Sequence, residues 1–237
     1  FSGGMRRRLD LAASLIDTSD APLRAFMWMI GHLLSLRGVT AARPVVVYEH
    51  DSGLRAARLF WFLEYLGHSS VQVLDGGIHA WTRAGFSVST TPVAPSASAW
   101  HGDASPDRLA TLSDVLSRLG HSDTAIIDTR SDDEYYGRAV RARRGGAIPG
   151  AIHLEWTRNL TPEGTYKATQ DLRRMYAALG VTPNREVVTY CQGGYRAAHT
   201  YLALRLLGFP RVRNYTGSWK EWGDREDLPI EHPEETA

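Results

Sequence analysis

The chain of 237 residues is expected to form two tandem three-layer α/β domains, each built on a mostly parallel sheet. Two observations carry that expectation. Short β-branched runs alternate with segments of helical apolar spacing, the pattern of strand–helix–strand units. The chain also repeats itself: Gly38 to Glu49, GVTAARPVVVYE, aligns with Gly180 to Cys191, GVTPNREVVTYC, at a constant offset of 142. Past that point Gly53-Leu54-Arg55-Ala56-Ala57 aligns with Gly194-Tyr195-Arg196-Ala197-Ala198 at 141, and the same offset pairs Gly76–Trp81 with Gly217–Trp222. A period of this size marks two copies of one domain.

In chain order, the first copy has no counterpart of Thr124–Asp128, the strand expected to open the second. Nothing before Arg8-Leu9-Asp10-Leu11 corresponds, so the first sheet is expected to lack its opening strand or the chain to begin within that domain. Met5 to Leu11 takes the place of Ala147 to Leu154 in the second copy. Ser2-Gly3-Gly4 resembles the signature segment of ABC transporter ATPases, but no phosphate-binding Gly-x4-Gly-Lys-Ser/Thr loop accompanies it and the likeness is taken as coincidence. Residues 87–106, SVSTTPVAPSASAWHGDASP, lack apolar periodicity and read as a surface connection. The expected domains are therefore 1–88, a linker over 89–106, and 107–237. In the second, Thr111 to Leu119 is an amphipathic helix closed by Gly120, Val187 to Tyr190 a buried strand, Arg196 to Leu207 a helix, and Val212 to Tyr215 a further strand.

The chemistry centres on Cys191, the only cysteine. It ends a strand, and Gln192-Gly193-Gly194-Tyr195 separates it from the helix that begins near Arg196. Two adjacent glycines let the backbone turn its N–H groups toward a common centre. Such a loop, a helix N-terminus and the guanidinium of Arg196 together favour a nucleophilic thiolate. A buried cysteine acting as a small hydrophobe is the plainer alternative; its place past the strand, beside two glycines, favours catalysis. Cys191 to Arg196 is Cys-x4-Arg, one residue shorter than the Cys-x5-Arg loop with which protein phosphatases enclose a phosphate.

With its loop Cys191-Gln192-Gly193-Gly194-Tyr195-Arg196, the chain resembles the rhodaneses, and its duplicated layout resembles the tandem-domain members of that family. Asp128-Thr129-Arg130-Ser131-Asp132-Asp133-Glu134-Tyr135 and Gly146-Ala147-Ile148-Pro149-Gly150-Ala151 resemble two further rhodanese signatures, with Ala147 where a histidine is usual. The resemblance implies two rhodanese-like domains, the first silent because Glu49 stands where Cys191 does, and an active site between them. It implies sulfur transfer through a Cys191 persulfide, from thiosulfate or a similar donor to cyanide or a thiol. Loop N–H groups of Gln192, Gly193, Gly194, Tyr195 and Arg196 would hold the persulfide, and Arg196 the sulfonate end of the donor.

Asp128 and Arg130, at a strand's C-terminal end, are candidate substrate-binding residues with a structural ion pair as the alternative. Trp219 is expected to shield the persulfide or cap the core, and Lys220 to place a charge near the mouth. Glu134 occupies a position where tandem thiosulfate and mercaptopyruvate enzymes often carry arginine, which leaves donor specificity open. A mercaptopyruvate sulfurtransferase and a non-enzymatic persulfide carrier are the alternatives within sulfur chemistry. The basic run Arg138–Arg144 reads as a solvated loop.

Composition narrows the remaining classes. Lys and Arg number 27 against 26 Asp and Glu, which gives no global case for nucleic acid or an anionic membrane. One cysteine excludes an internal disulfide and points to a reducing, cytoplasmic setting. No apolar run reaches membrane-spanning length; Ala25–Leu36 is interrupted by Gly31 and His32. The expected partners are a small sulfur donor and a thiol or cyanide acceptor, without metal or cofactor.

Overall fold

In the computed structural model, residues 20–50 and 53–234 are described; residues 5–11, aligned above with 147–154, and loop residues Asp51 and Ser52 lie outside them. The chain divides into two compact units, Phe1–Pro106 with Glu163–Thr165, and Asp107–Pro162 with Tyr166–Ala237.

In the first unit, helix α1 (Asp20–Ser35) precedes strand β1 (Val45–Val47), helix α2 (Leu54–Tyr65), strand β2 (Val71–Val73) and helix α3 (Gly77–Arg83). β1 and β2 pair in parallel, Val45 opposite Val71 and Val47 opposite Val73, and form a two-stranded sheet among the described residues. Its core gathers Val47, Ala56 and Leu63, with Trp100 packed against them. The segment read as a linker is fastened at its second half: Ser98 N–H donates to Ser35, and Asp103 N–H to Leu66. A Cβ on Gly102 would come within 2.5 Å of the Leu66 carbonyl oxygen, so the strap lies against the end of α2.

In the second unit, strand β3 (Leu109–Ala110), helix α4 (Leu112–Ser117), strand β4 (Thr124–Asp128), helix α5 (Asp132–Tyr135) and strand β5 (Ile152–His153) come first. Helix α6 (Thr169–Ala178), strand β6 (Glu186–Tyr190), helix α7 (Tyr195–Leu206), strand β7 (Val212–Tyr215) and helix α8 (Ser218–Asp224) complete it. α4 is shorter than the expected Thr111–Leu119 because Thr111 is its cap: the side chain accepts from Asp114 N–H, and Asp114 reciprocates to Thr111 N–H. Leu119 lies beyond the final turn.

The strands form one parallel sheet in the order β3-β7-β6-β4-β5. β4 and β6 are buried along almost their whole length, which is why they read as continuous apolar and β-branched runs. Chain order reverses between them, and open parallel sheets bind ligands at the strand ends beside such a reversal. Thr129 marks that point by donating its N–H and its hydroxyl to the Tyr190 carbonyl, at 3.0 and 2.9 Å. The core under the strand ends gathers Ile126, Val188, Tyr190, Tyr215, Trp219 and Trp222.

Candidate active site

β6 carries the chain to Cys191, whose polar groups are all engaged. Its N–H donates to the Ser218 hydroxyl at 3.1 Å, and its carbonyl accepts from Trp219 N–H at 2.9 Å. Sγ accepts from Gly194 N–H at 3.1 Å, so the loop has turned back onto the sulfur. Gly194 makes that turn at φ 82°, in the left-handed region that glycine enters without penalty, and immediately starts α7. Asn214, buried on β7, donates its side-chain N–H to the Gly194 carbonyl at 3.2 Å. Thr189 ties the strand to the first turn of α7 by donating to Ala197 O at 3.0 Å.

Ser218 is the one described non-glycine residue with positive φ, at 54°. Such a conformation is uncommon outside glycine and persists where its surroundings enforce it. Here the serine hydroxyl bridges, donating to Tyr215 O at 2.7 Å while it accepts from Cys191 N–H. The equivalent residue of the first copy is Gly77, at φ 56°, where any Cβ would lie 2.1 Å from the Glu49 carbonyl oxygen. The backbone grip is otherwise repeated, since Glu49 O accepts from Ile78 N–H at 2.9 Å. The Glu49 carboxylate takes the Arg55 N–H at 2.9 Å, so a carboxylate stands where the second copy has a thiol.

Arg196 points to Glu134, not to an open site. Its guanidinium forms a two-pronged pair with the carboxylate, at 2.5 and 2.9 Å, and Glu134 also accepts from the N–H and hydroxyl of Ser131. Burial pushes the Glu134 carboxyl up, but Arg196 and Ser131 outweigh it and hold it down at about 2. Burial likewise works against the charged guanidinium, and Glu134 together with the adjacent Cys191 more than restores it, so Arg196 stays cationic. Arg196, expected to bind the sulfonate end of the donor, has its fork engaged in the structure by the Glu134 carboxylate.

Asp128 and Arg130, candidate substrate-binding residues with a structural ion pair as the alternative, form a buried ion pair. Both are almost fully inaccessible, Arg130 Nε lies 3.0 and 2.9 Å from the two Asp128 oxygens, and Nη2 also reaches Gly146 O at 2.7 Å. Their link to the loop runs through an aromatic ring, because the guanidinium stacks 4.5 Å from the Trp219 centroid. Trp219 itself is 1% exposed and donates to Arg144 O at 3.1 Å, so it belongs to the core beneath the loop. Lys220 continues the contact through its backbone, N–H to Gln192 O at 3.1 Å, while its ammonium pairs with Asp224. Gln192 donates Nε2 to Arg141 O at 2.8 Å.

The basic run is largely exposed, as expected of a solvated loop, at Arg138, Arg141 and Arg143, but its last residue is tied down. Arg144 donates to the carbonyls of Leu228 and Trp222, at 3.0 and 3.3 Å, as well as to Arg225, and Arg143 N–H caps Asp224 at 2.9 Å. These contacts strap the end of the run, Arg143 and Arg144, across the end of α8 and the turn after it. Sequence reasoning missed Ser218, Asn214 and Arg144 as supports of the loop. Of these only Ser218 carried a signal, since its aligned partner is a glycine.

The Rhodanese-like domain family matches residues 13–84 and 111–225. The chain belongs to the rhodanese-like family. Among its curated rhodanese-like relatives, the thiosulfate sulfurtransferase of Azotobacter vinelandii is 39% identical over 202 residues, 84% of this chain and 74% of that protein. The sulfur carrier protein TtuD of Thermus thermophilus is 34% identical over 86% of this chain and 76% of its own length. Among solved structures, the anaerobic ergothioneine biosynthesis enzyme of Chlorobium limicola, in complex with trimethyl histidine, matches at TM-score 0.77 and 27% identity. That match covers 84% of this rhodanese-like chain but 53% of the other, so this chain spans about half of it.

Proposed function

We propose that this protein is a thiosulfate sulfurtransferase and that Cys191 is its nucleophile. The observation that carries the reading is the contact of Gly194 N–H with Cys191 Sγ at 3.1 Å, at the end of the central parallel strand. A sulfur so placed is addressed by a fixed backbone donor, which suits a thiolate and then a persulfide anion. The thiolate attacks the outer sulfur of thiosulfate, a new S–S bond forms, and the old one breaks with its electron pair leaving on sulfite. Cyanide, or an acceptor thiolate, then attacks the outer persulfide sulfur. The Cys191–S bond breaks, thiocyanate or an acceptor persulfide departs, and Cys191 is returned as thiolate.

The names of the curated relatives support thiosulfate as donor, and both reactants are small molecules. A reducing, cytoplasmic setting suits the cycle, because the single thiol must remain reduced between turnovers. The name of the Thermus thermophilus relative favours one second reading, a carrier that accepts one sulfur and hands it on without rapid turnover.

The deciding experiment is the intact mass of wild type and Cys191→Ser after thiosulfate, then after cyanide. The expected result is one added sulfur on wild type alone, released as thiocyanate, with steady turnover when both reactants are supplied. Loading without turnover favours the carrier. Loading from mercaptopyruvate but not thiosulfate changes the donor, and equal loading of Cys191→Ser refutes the nucleophile.

A further inference from the structure

We propose that Arg141, on the strap over α8, is the specificity-determining cation that receives the anionic end of the sulfur donor. The inference rests on the sulfurtransferase reading and deepens it by assigning the donor's sulfonate a partner.

It follows from how the cations around the loop are used. Arg130 is buried against Asp128 and the Gly146 carbonyl. Arg196 gives both prongs to Glu134, and Lys220 is paired with Asp224. Arg144 is bonded to main-chain carbonyls, and Arg138 to Asp133 at 2.8 Å. Arg143 is also exposed, 4.0 Å from Glu226, but its backbone is held by Asp224 and not by the Cys191 loop; Arg141 differs from the rest. Among the described residues its guanidinium approaches one acceptor, Glu134 Oε1 at 3.6 Å, which is beyond hydrogen-bond length and is an oxygen that Arg196 already occupies. Its side chain is 61% exposed.

Exposure alone would describe any surface arginine, but the backbone of this one is held beside the active loop. The Arg141 carbonyl accepts from Gln192, the residue after Cys191, at 2.8 Å. Two residues further on, Arg143 N–H bonds Asp224, and Arg144 pins the strap to the end of α8. The strap closes on itself where Gly137 meets Gly146: a Cβ on Gly137 would stand 3.0 Å from Gly146 N. The result is a guanidinium with open donors on a fixed base, next to the nucleophile's loop.

The charge count points the same way. Arg196, Glu134 and Arg141 are two guanidiniums and one carboxylate in contact, a net charge of +1 that a thiolate at Cys191 would cancel. A dianionic donor approaching that thiolate needs a cation with unsatisfied donors, and a planar guanidinium matches the oxygens of a sulfonate. Without Arg141 the Arg196–Glu134 pair is neutral and offers the donor nothing.

The test uses the full chain and two alkylating probes of Cys191, anionic iodoacetate and neutral iodoacetamide, at low ionic strength, alongside thiosulfate kinetics. In Arg141→Ala the iodoacetate-to-iodoacetamide rate ratio should fall about five- to tenfold, the size expected for one screened unit charge at a partly solvated site. The thiosulfate KM should rise by a similar factor and move more than kcat. Arg141→Glu should fall further, Arg141→Lys should recover most of the ratio, and added salt should shrink the differences. Ratio and KM within twofold of wild type in both Arg141→Ala and Arg141→Glu would overturn the assignment. If wild type takes no sulfur from thiosulfate, the donor is wrong, yet the alkylation ratio still decides whether Arg141 selects anions at Cys191.

Discussion

Glu134→Gln separates the two consequences of the buried pair. The substitution keeps shape and removes the charge, leaving Arg196 buried without its counter-ion. The Glu134 carboxyl is held at about 2 against an ordinary 4.5, a gap that corresponds to about 3 kcal/mol of stability at neutral pH. Breaking a buried pair costs roughly 3–5 kcal/mol in general, so the two routes agree.

The sign of the pH dependence follows. A carboxyl with a depressed folded value contributes fully above its unfolded value, and loses that contribution as pH falls from about 4.5 toward about 2. Urea unfolding of wild type and Glu134→Gln at pH 7, 5, 4 and 3 should show a gap near 3 kcal/mol at pH 7 and 5 that shrinks to under half by pH 3. At pH 7 the same variant carries one more net positive charge beside Cys191, so its preference for iodoacetate should rise while its stability falls. A gap below about 1 kcal/mol at pH 7, or one that does not change with pH, would refute the account of the pair.

Other substitutions test the supports of the loop. Ser218→Ala keeps the left-handed backbone strain but loses both hydroxyl bonds and leaves Cys191 N–H unpaired, for a loss of about 1–3 kcal/mol. Ser218→Gly relieves the strain, worth about 1–2 kcal/mol, and should be the less damaging of the two in urea unfolding; the reverse order would show that φ at 218 is not strained. Asp128→Ala strands the buried Arg130 and should cost about 3–5 kcal/mol, read as a lowered thermal midpoint; a midpoint within a degree or two of wild type would refute the structural role and favour the substrate-binding one.

What the sequence determined by itself is what depends on neighbours along the chain. Val187–Tyr190 and Thr124–Asp128 read as strands and are strands, because parallel strands buried on both faces need nearly uninterrupted apolar and β-branched residues. The Cys191 loop was legible because two glycines between a strand and a helix impose a tight turn locally, and the duplication because a period survives in the letters. Partnership was not legible. Glu134 and Arg196 are 62 positions apart, and whether an arginine near a thiol serves an anionic donor or a carboxylate depends on which strand ends the sheet order brings together. Asp128 and Arg130 are neighbours in sequence, yet only burial decides between a site and a strut. The strap of 138–144 reads as a solvated charge run, and only the fold shows that its last arginine is taken by carbonyls of α8 and the turn beyond it, Trp222 and Leu228. Charges are promiscuous in sequence and specific in space, so tertiary structure alone assigns each cation its partner and leaves Arg141 with donors to offer.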